Sequence, residues 1–158
     1  MTDPTNALQS FQAELLRVGV GQLQRGVLDR DLYVHFDEPG GGLRVTYVRL
    51  HGSTVTAFVE FASSEPIERT PCFAVGYAVP EEYRNQGRAK EALKAALSEM
   101  QRGFGRIGAF YVGAIVGADN KPSQRVAEQV ISDTPVPVKD QVSGLPAFRY
   151  LRKVENLH

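Results

Sequence analysis

Tyr83-Arg84-Asn85-Gln86-Gly87-Arg88-Ala89 has the residue types of an anion-binding turn. It leaves a strand-like run ending at Val79 and enters a helical pattern near Gly87. A turn of this kind points several backbone N–H groups into one concavity, at the positive end of a helix dipole. Gly87 allows close approach of the backbone, Ala89 keeps the first turn small, and Arg84, Arg88 and Lys90 add positive charge. An ordinary loop with solvated arginines would have the same composition.

A second junction follows the same grammar. Asp119-Asn120-Lys121-Pro122-Ser123 comes directly after an apolar run, with Asn120 as N-cap and Pro122 in the first turn of a helix. If the two preceding strands are parallel neighbours, both junctions lie beyond their carboxyl ends, where open α/β sheets bind ligands. The run Gly103-Phe104-Gly105-Arg106-Ile107-Gly108 spells G-x-G-x-x-G but closes a helix and precedes a strand, the reverse of a dinucleotide-binding context. Gly103 reads instead as a helix C-cap. Cys72 is the single cysteine and reads as a small buried hydrophobe. His35, His51 and the terminal His158 lack metal-ligand spacing, so no metal site is expected.

These junctions need elements to hold them. Leu8, Phe11, Leu15 and Leu16 mark one face of a helix that fades at Gly19 and Gly21, with a second short helix able to follow. Leu32–Phe36, Leu43–Leu50 and Val55–Phe61 read as strands joined by turns short enough to require antiparallel hairpins. Ala62–Pro71, with its prolines and charges, reads as a loop. Cys72–Val79 is a strand, Ala89 to Met100 a helix, Phe110–Val116 a doubly buried strand, and Val126 to Ile131 another helix. Ala147–Val154 is a last strand, with Thr134–Val138 an edge strand blunted by Pro135 and Pro137. The expected fold class is α/β (α+β): a mixed sheet, antiparallel at first, with a central parallel strand–helix–strand crossover.

At 158 residues with 18 basic and 18 acidic side chains, the chain is of one-domain size and carries no basic excess for gripping nucleic acid. The start, Met1 to Asn6, lacks signal-peptide character, and no uncharged stretch reaches bilayer length. We therefore expect a cytoplasmic protein with neither membrane nor nucleic-acid partners. The domain is expected to span 1–158, divided into a helical segment 1–30, antiparallel strands 31–71, a core 72–131 and C-terminal strands 132–158.

The R/Q-x-x-G-x-G/A element in Arg84–Ala89, with Asn120, Ser123 and Arg125-Val126-Ala127-Glu128 behind it, resembles the GNAT superfamily of acyl-CoA-dependent N-acyltransferases. The likeness covers about Thr54 to Val154. Asn120–Ser123 and Phe148-Arg149-Tyr150 look most similar to the branch that acetylates ribosomal-protein N-termini and aminoglycosides. The resemblance implies a GNAT-like fold with acetyl-CoA as co-substrate. Arg84, Asn85, Gln86, Gly87, Arg88 and Ala89 would seat its pyrophosphate. Tyr77, Ala78 and Val79 would pair with the pantetheine amides on a strand splayed from its neighbour, and Asn120 and Ser123 would lie along the same arm.

The implied chemistry is direct attack of a primary amine, from a small molecule, a peptide N-terminus or a lysine, on the thioester. An ammonium with a pKa near 10.4 must first lose a proton, so a positioned base is useful. The sequence departs from the family here. Ala127 stands where many members carry a tyrosine that protonates the leaving thiolate, and Pro71 stands where some carry a glutamate base. The candidates are then Glu60 as base and Tyr111 as acid. The N-terminal helix, Ala62–Pro71 and Asp133–Gly144 would shape the acceptor site, and the chain could pair as a homodimer. The alternative is a catalytically silent GNAT-fold module that binds acyl-CoA or a protein partner.

Overall fold

The computed structural model describes residues 4–104 and 108–155. Helix α1 (Pro4–Val18) ends where Gly19, at φ 88°, donates its N–H to the Leu15 carbonyl at 2.7 Å. The expected second helix is a single 3₁₀ turn over Val20–Gln22. Strands β1 (Gln24–Arg25), β2 (Tyr33–Asp37), β3 (Arg44–His51), β4 (Thr54–Ile67) and β5 (Thr70–Ala78) then form an antiparallel run. Helix α2 (Arg88–Phe104) leads to β6 (Phe110–Gly117), and α3 (Lys121–Val130) leads to β7 (Val136–Lys139) and β8 (Pro146–Val154).

All eight strands join one sheet, in the order β1-β2-β3-β4-β5-β6-β8-β7, with β5–β6 the single parallel pair among the described residues. Strand alternation divides the core in two. On one face Val59, Phe61, Val75, Val112 and Ala114 pack against Leu93, Ala96 and Met100 of α2 and Ala127 of α3. On the other face Val48, Val55, Phe58 and Ala78 pack against Leu8 and Leu15 of α1.

Two expectations are corrected. Ala62–Pro71 is not a loop: β4 runs to Ile67, β5 starts at Thr70, and Glu68 and Arg69 at φ 49° and 69° make a two-residue hairpin turn. Ala62, Ser63 and Ser64 pair with Ala74, Phe73 and Cys72, so the ladder overrides the polar composition. Pro66 falls in the irregularity between Ser64 and Ile67, where a missing N–H costs least. Gly103 is likewise a helical residue, not a cap, because α2 continues to Phe104. The middle of the G-x-G-x-x-G run (105–107), Met1 to Asp3 and His158 lie outside the described residues.

Candidate active site

The parallel ladder between β5 and β6 is short. Cys72, Phe73 and Ala74 pair with Tyr111, Val112 and Gly113, and there the pairing ends although β5 continues to Ala78 and β6 to Gly117. The two strands therefore part toward their carboxyl ends. Tyr77 spans the gap: its hydroxyl donates to the Ser123 carbonyl at 2.7 Å, tying β5 to the first turn of α3. Burial pushes the Tyr77 hydroxyl pKa up to about 12, so it stays protonated and remains a donor.

Beyond the parting lies a cleft of about 630 Å³. Tyr77, Ala78, Val79, Arg84, Asn85, Gly87, Arg88, Ala89, Asn120 and Ser123 all line it. Gln86 does not; its Oε1 accepts from Arg88 Nε at 3.0 Å. Tyr83, Lys90, Pro122, Arg125, Val126 and Thr5 complete the wall. Of these, Thr5 was not legible locally, because it arrives from α1, more than seventy positions upstream of the turn.

The turn is held in shape by its own side chains. Asn85 (φ 62°) and Gly87 (φ 73°) both adopt the left-handed region. Arg84 Nε donates to the Val79 carbonyl at 2.9 Å, which occupies part of the β5 edge that the resemblance assigns to a ligand. The Arg88 guanidinium sits 4.9 Å from the centre of the Tyr83 ring. The first helical hydrogen bond of α2 runs from Glu91 N to Gly87 O, at 3.1 Å. The amides of the three preceding residues thus have no intrahelical acceptor. A Cβ at Gly87 would meet nothing within 4 Å, so the backbone at Gly87 is open to approach. At the second junction Asn120 Oδ1 caps α3 by accepting from Ser123 N at 3.3 Å.

An acetyltransferase (GNAT) domain model matches residues 29–130, more than half of the chain. The protein belongs to the GNAT acetyltransferase family. Its fold is similar to that of RimL, a ribosomal-protein α-N-acetyltransferase solved with coenzyme A: TM-score 0.54, 21% identity, over 70% of this chain and 62% of that one. A Salmonella typhimurium acetyltransferase described as modifying the N-terminal serine of a ribosomal protein gives 0.52 and 21%, over 71% and 64%. A ribosomal-protein-alanine acetyltransferase from Vibrio fischeri gives 0.53 and 14%, over 72% and 62%. This GNAT chain therefore spans less than two-thirds of the length of these neighbours. Among curated proteins none matches its sequence.

Within this GNAT chain the cleft fits an acyl-CoA by its chemistry. Open amides, basic side chains and a glycine with free space before it suit a diphosphate. The unpaired lengths of β5 and β6 leave backbone donors and acceptors for an amide-bearing arm. Among the described residues no group of three His, Cys, Asp or Glu is placed to hold a metal ion. No helix among them is long and apolar enough to cross a membrane.

The two candidate catalytic residues fall in different places. Tyr111 sits at the start of β6, about 20 Å along the strand from the cleft end at a rise of ~3.3 Å per residue. Its ring lies 6.0 Å from Lys153 Nζ and lines neither the cleft nor the cavity described next. Glu60, on β4, stands opposite Gly76 of β5 and opens into a second cavity of about 330 Å³ beneath α1. Burial pushes its carboxyl pKa up, with Arg44 opposing and Asp37 adding to the shift. Ala127, where the resemblance sets a tyrosine, is fully buried against the sheet.

Proposed function

We propose that this chain is an N-acetyltransferase that moves an acetyl group from acetyl-CoA to a primary amine by direct attack. One observation carries the reading. The open start of α2, the unpaired ends of β5 and β6, and the capped start of α3 border a single cleft.

Acetyl-CoA, when bound, supplies an activated acyl thioester. The first-turn amides of α2, with Arg84, Arg88 and Lys90, hold the diphosphate, and Gly87 leaves room for it. Tyr77 and Ser123 keep the strands apart so that the pantetheine arm enters between them. Asn120 and Ser123 border the arm on the α3 side. Glu60 receives the proton that the acceptor ammonium must shed before its nitrogen attacks; a raised carboxyl pKa makes it a better base than a solvated glutamate. Tyr111 lies too far along β6 to protonate the departing thiolate, and the single Tyr77 proton is held by the Ser123 carbonyl, so coenzyme A leaves as the thiolate and takes its proton from solvent.

The experiment is release of free CoA thiol from acetyl-CoA in the presence of an amine panel containing small amines, lysine derivatives and peptide α-amines. Amine-dependent thiol release is the expected result. The buried Ala127 favours a second reading, an acyl-CoA-binding module without turnover. That reading requires acetyl-CoA to raise the melting temperature while no amine releases thiol.

A further inference from the structure

The cavity beneath α1 is built differently from the cleft. Its floor and roof are aromatic and aliphatic: Phe11 and Leu15 from α1, Phe58 from β4, and the edge of His35 from β2. Phe11 packs edge-on to both Phe58 and His35, at centroid distances of 5.9 and 6.4 Å. The charges at its rim are largely matched. Arg44 is held by Asp37 through Nε at 2.9 Å and through a second guanidinium contact, and Glu14 is held by Arg17. Glu60 is the exception. Among the described residues its carboxylate makes no hydrogen bond and no ion pair, and it faces Arg44 and Asp37 only through space. A half-buried carboxylate with no hydrogen-bond partner is costly unless a cation or donor joins it.

The position of the cavity matters as much as its lining. Glu60 and Gly76 are cross-strand partners, about 5 Å apart at their Cα atoms. Gly76 lies beyond the last β5–β6 pair, in the parted length of β5. Phe58 lines the cavity and its partner Ala78 lines the cleft, so the two spaces meet across one ladder. The first turn of α1 forms the partition: Thr5 lines the cleft, Ala7 lines the cavity, and Pro4 packs on Gly76. A Cβ at Gly76 would lie 3.1 Å from the Pro4 ring, so glycine is what lets the helix come this close.

We propose that the cavity under α1 is the acceptor pocket, and that it takes a small primary amine bearing one aromatic ring or branched alkyl group, its ammonium paired with Glu60 and its apolar body against Phe11 and Phe58. This rests on the acetyltransferase reading and specifies its substrate class. The amine nitrogen sits at Glu60, one cross-strand step from Gly76 and the parted length of β5. A polar amine of the same length gains nothing from the aromatic wall. A peptide α-amine has to lead its polar chain out through the mouth beside Ser10, and that length gains nothing from the aromatic wall.

The test is a binding and turnover series on the full chain. 2-Phenylethylamine and isopentylamine are compared with ethanolamine and with a hexapeptide beginning in phenylalanine. Binding is followed by calorimetry without acetyl-CoA, and turnover by thiol release with it. The expected result is that the two apolar amines bind at least tenfold tighter than ethanolamine and turn over faster than the peptide. Ser10→Trp, at the exposed mouth of the cavity, should weaken them at least tenfold while coenzyme A affinity stays within twofold. Glu60→Gln should weaken them similarly. Equal binding of ethanolamine, preference for the peptide, or amine binding indifferent to both substitutions would overturn the proposal. Glu60-dependent amine binding without thiol release from any amine would uphold the pocket and defeat the acetyl-transfer reading; thiol release with the peptide alone would do the reverse.

Discussion

Two residues test the site most directly, and for different physical reasons. Gly87 stands at φ 73° with open space where a side chain would begin, so a substitution there is opposed by the backbone, not by a clash. Gly87→Asp adds that strain and puts a negative charge in front of the α2 amides. It should weaken coenzyme A binding at least tenfold by calorimetry, with an unchanged far-UV spectrum. Gly87→Ala, which brings the strain without the charge, should lose less. Glu60 is the second residue. Its folded carboxyl pKa is raised, so the fold favours the protonated form, and that contribution is lost as pH rises through the folded value. Glu60→Gln should therefore melt higher than the parent at neutral pH. The gap should close as pH falls below the ordinary value of 4.5, as differential scanning calorimetry across pH would show.

At the scale of elements, α2 does more than present its first turn. Glu99, buried on its core-facing side, accepts from the amides of Val27, Leu28 and Asp29 at 3.0, 2.5 and 3.2 Å. Gly26 makes room for this: a Cβ there would lie 2.9 Å from Glu99 Oε1 and 2.4 Å from the Asp29 carbonyl. Arg49 of β3 adds a clamp, bonding Asp29 and Glu91 through its guanidinium, each at 3.0 Å in one of its contacts. The segment before β2 is thus fastened to the helix that opens at Gly87. Glu99→Ala should cost about 2 kcal/mol, because three part-buried donors lose a charged acceptor. Hydrogen exchange at residues 27–29 should quicken more than exchange along β4. In the sequence Glu99 reads as one more charge on an amphipathic helix, since its partners lie some seventy residues upstream.

At the scale of the molecule, the parting of β5 and β6 makes the cleft, and a ligand bound there should stabilise the whole fold. At about a hundred times its dissociation constant, acetyl-CoA should add ~2.7 kcal/mol. For a chain of this length that corresponds to a melting shift of roughly 5–10 °C by scanning calorimetry. The absence of any shift would count against the cleft as a coenzyme site. Much of this architecture was readable from order and periodicity alone. The hairpins after Leu32, the helix after Gly87 and the capped helix after Asn120 depend on contacts within a few residues. Ala62–Pro71 has the local composition of a loop, and pairing with β5 outweighs it. Thr5 in the cleft, the cavity under α1, the unpaired state of Glu60 and the remoteness of Tyr111 were decided by which strands lie side by side and where their pairing stops. Hydrophobic spacing and turn chemistry act through neighbours along the chain, so a sequence displays them. Strand register and the seat of α1 come from contacts between distant segments, and only the folded arrangement determines which side chains share a cavity.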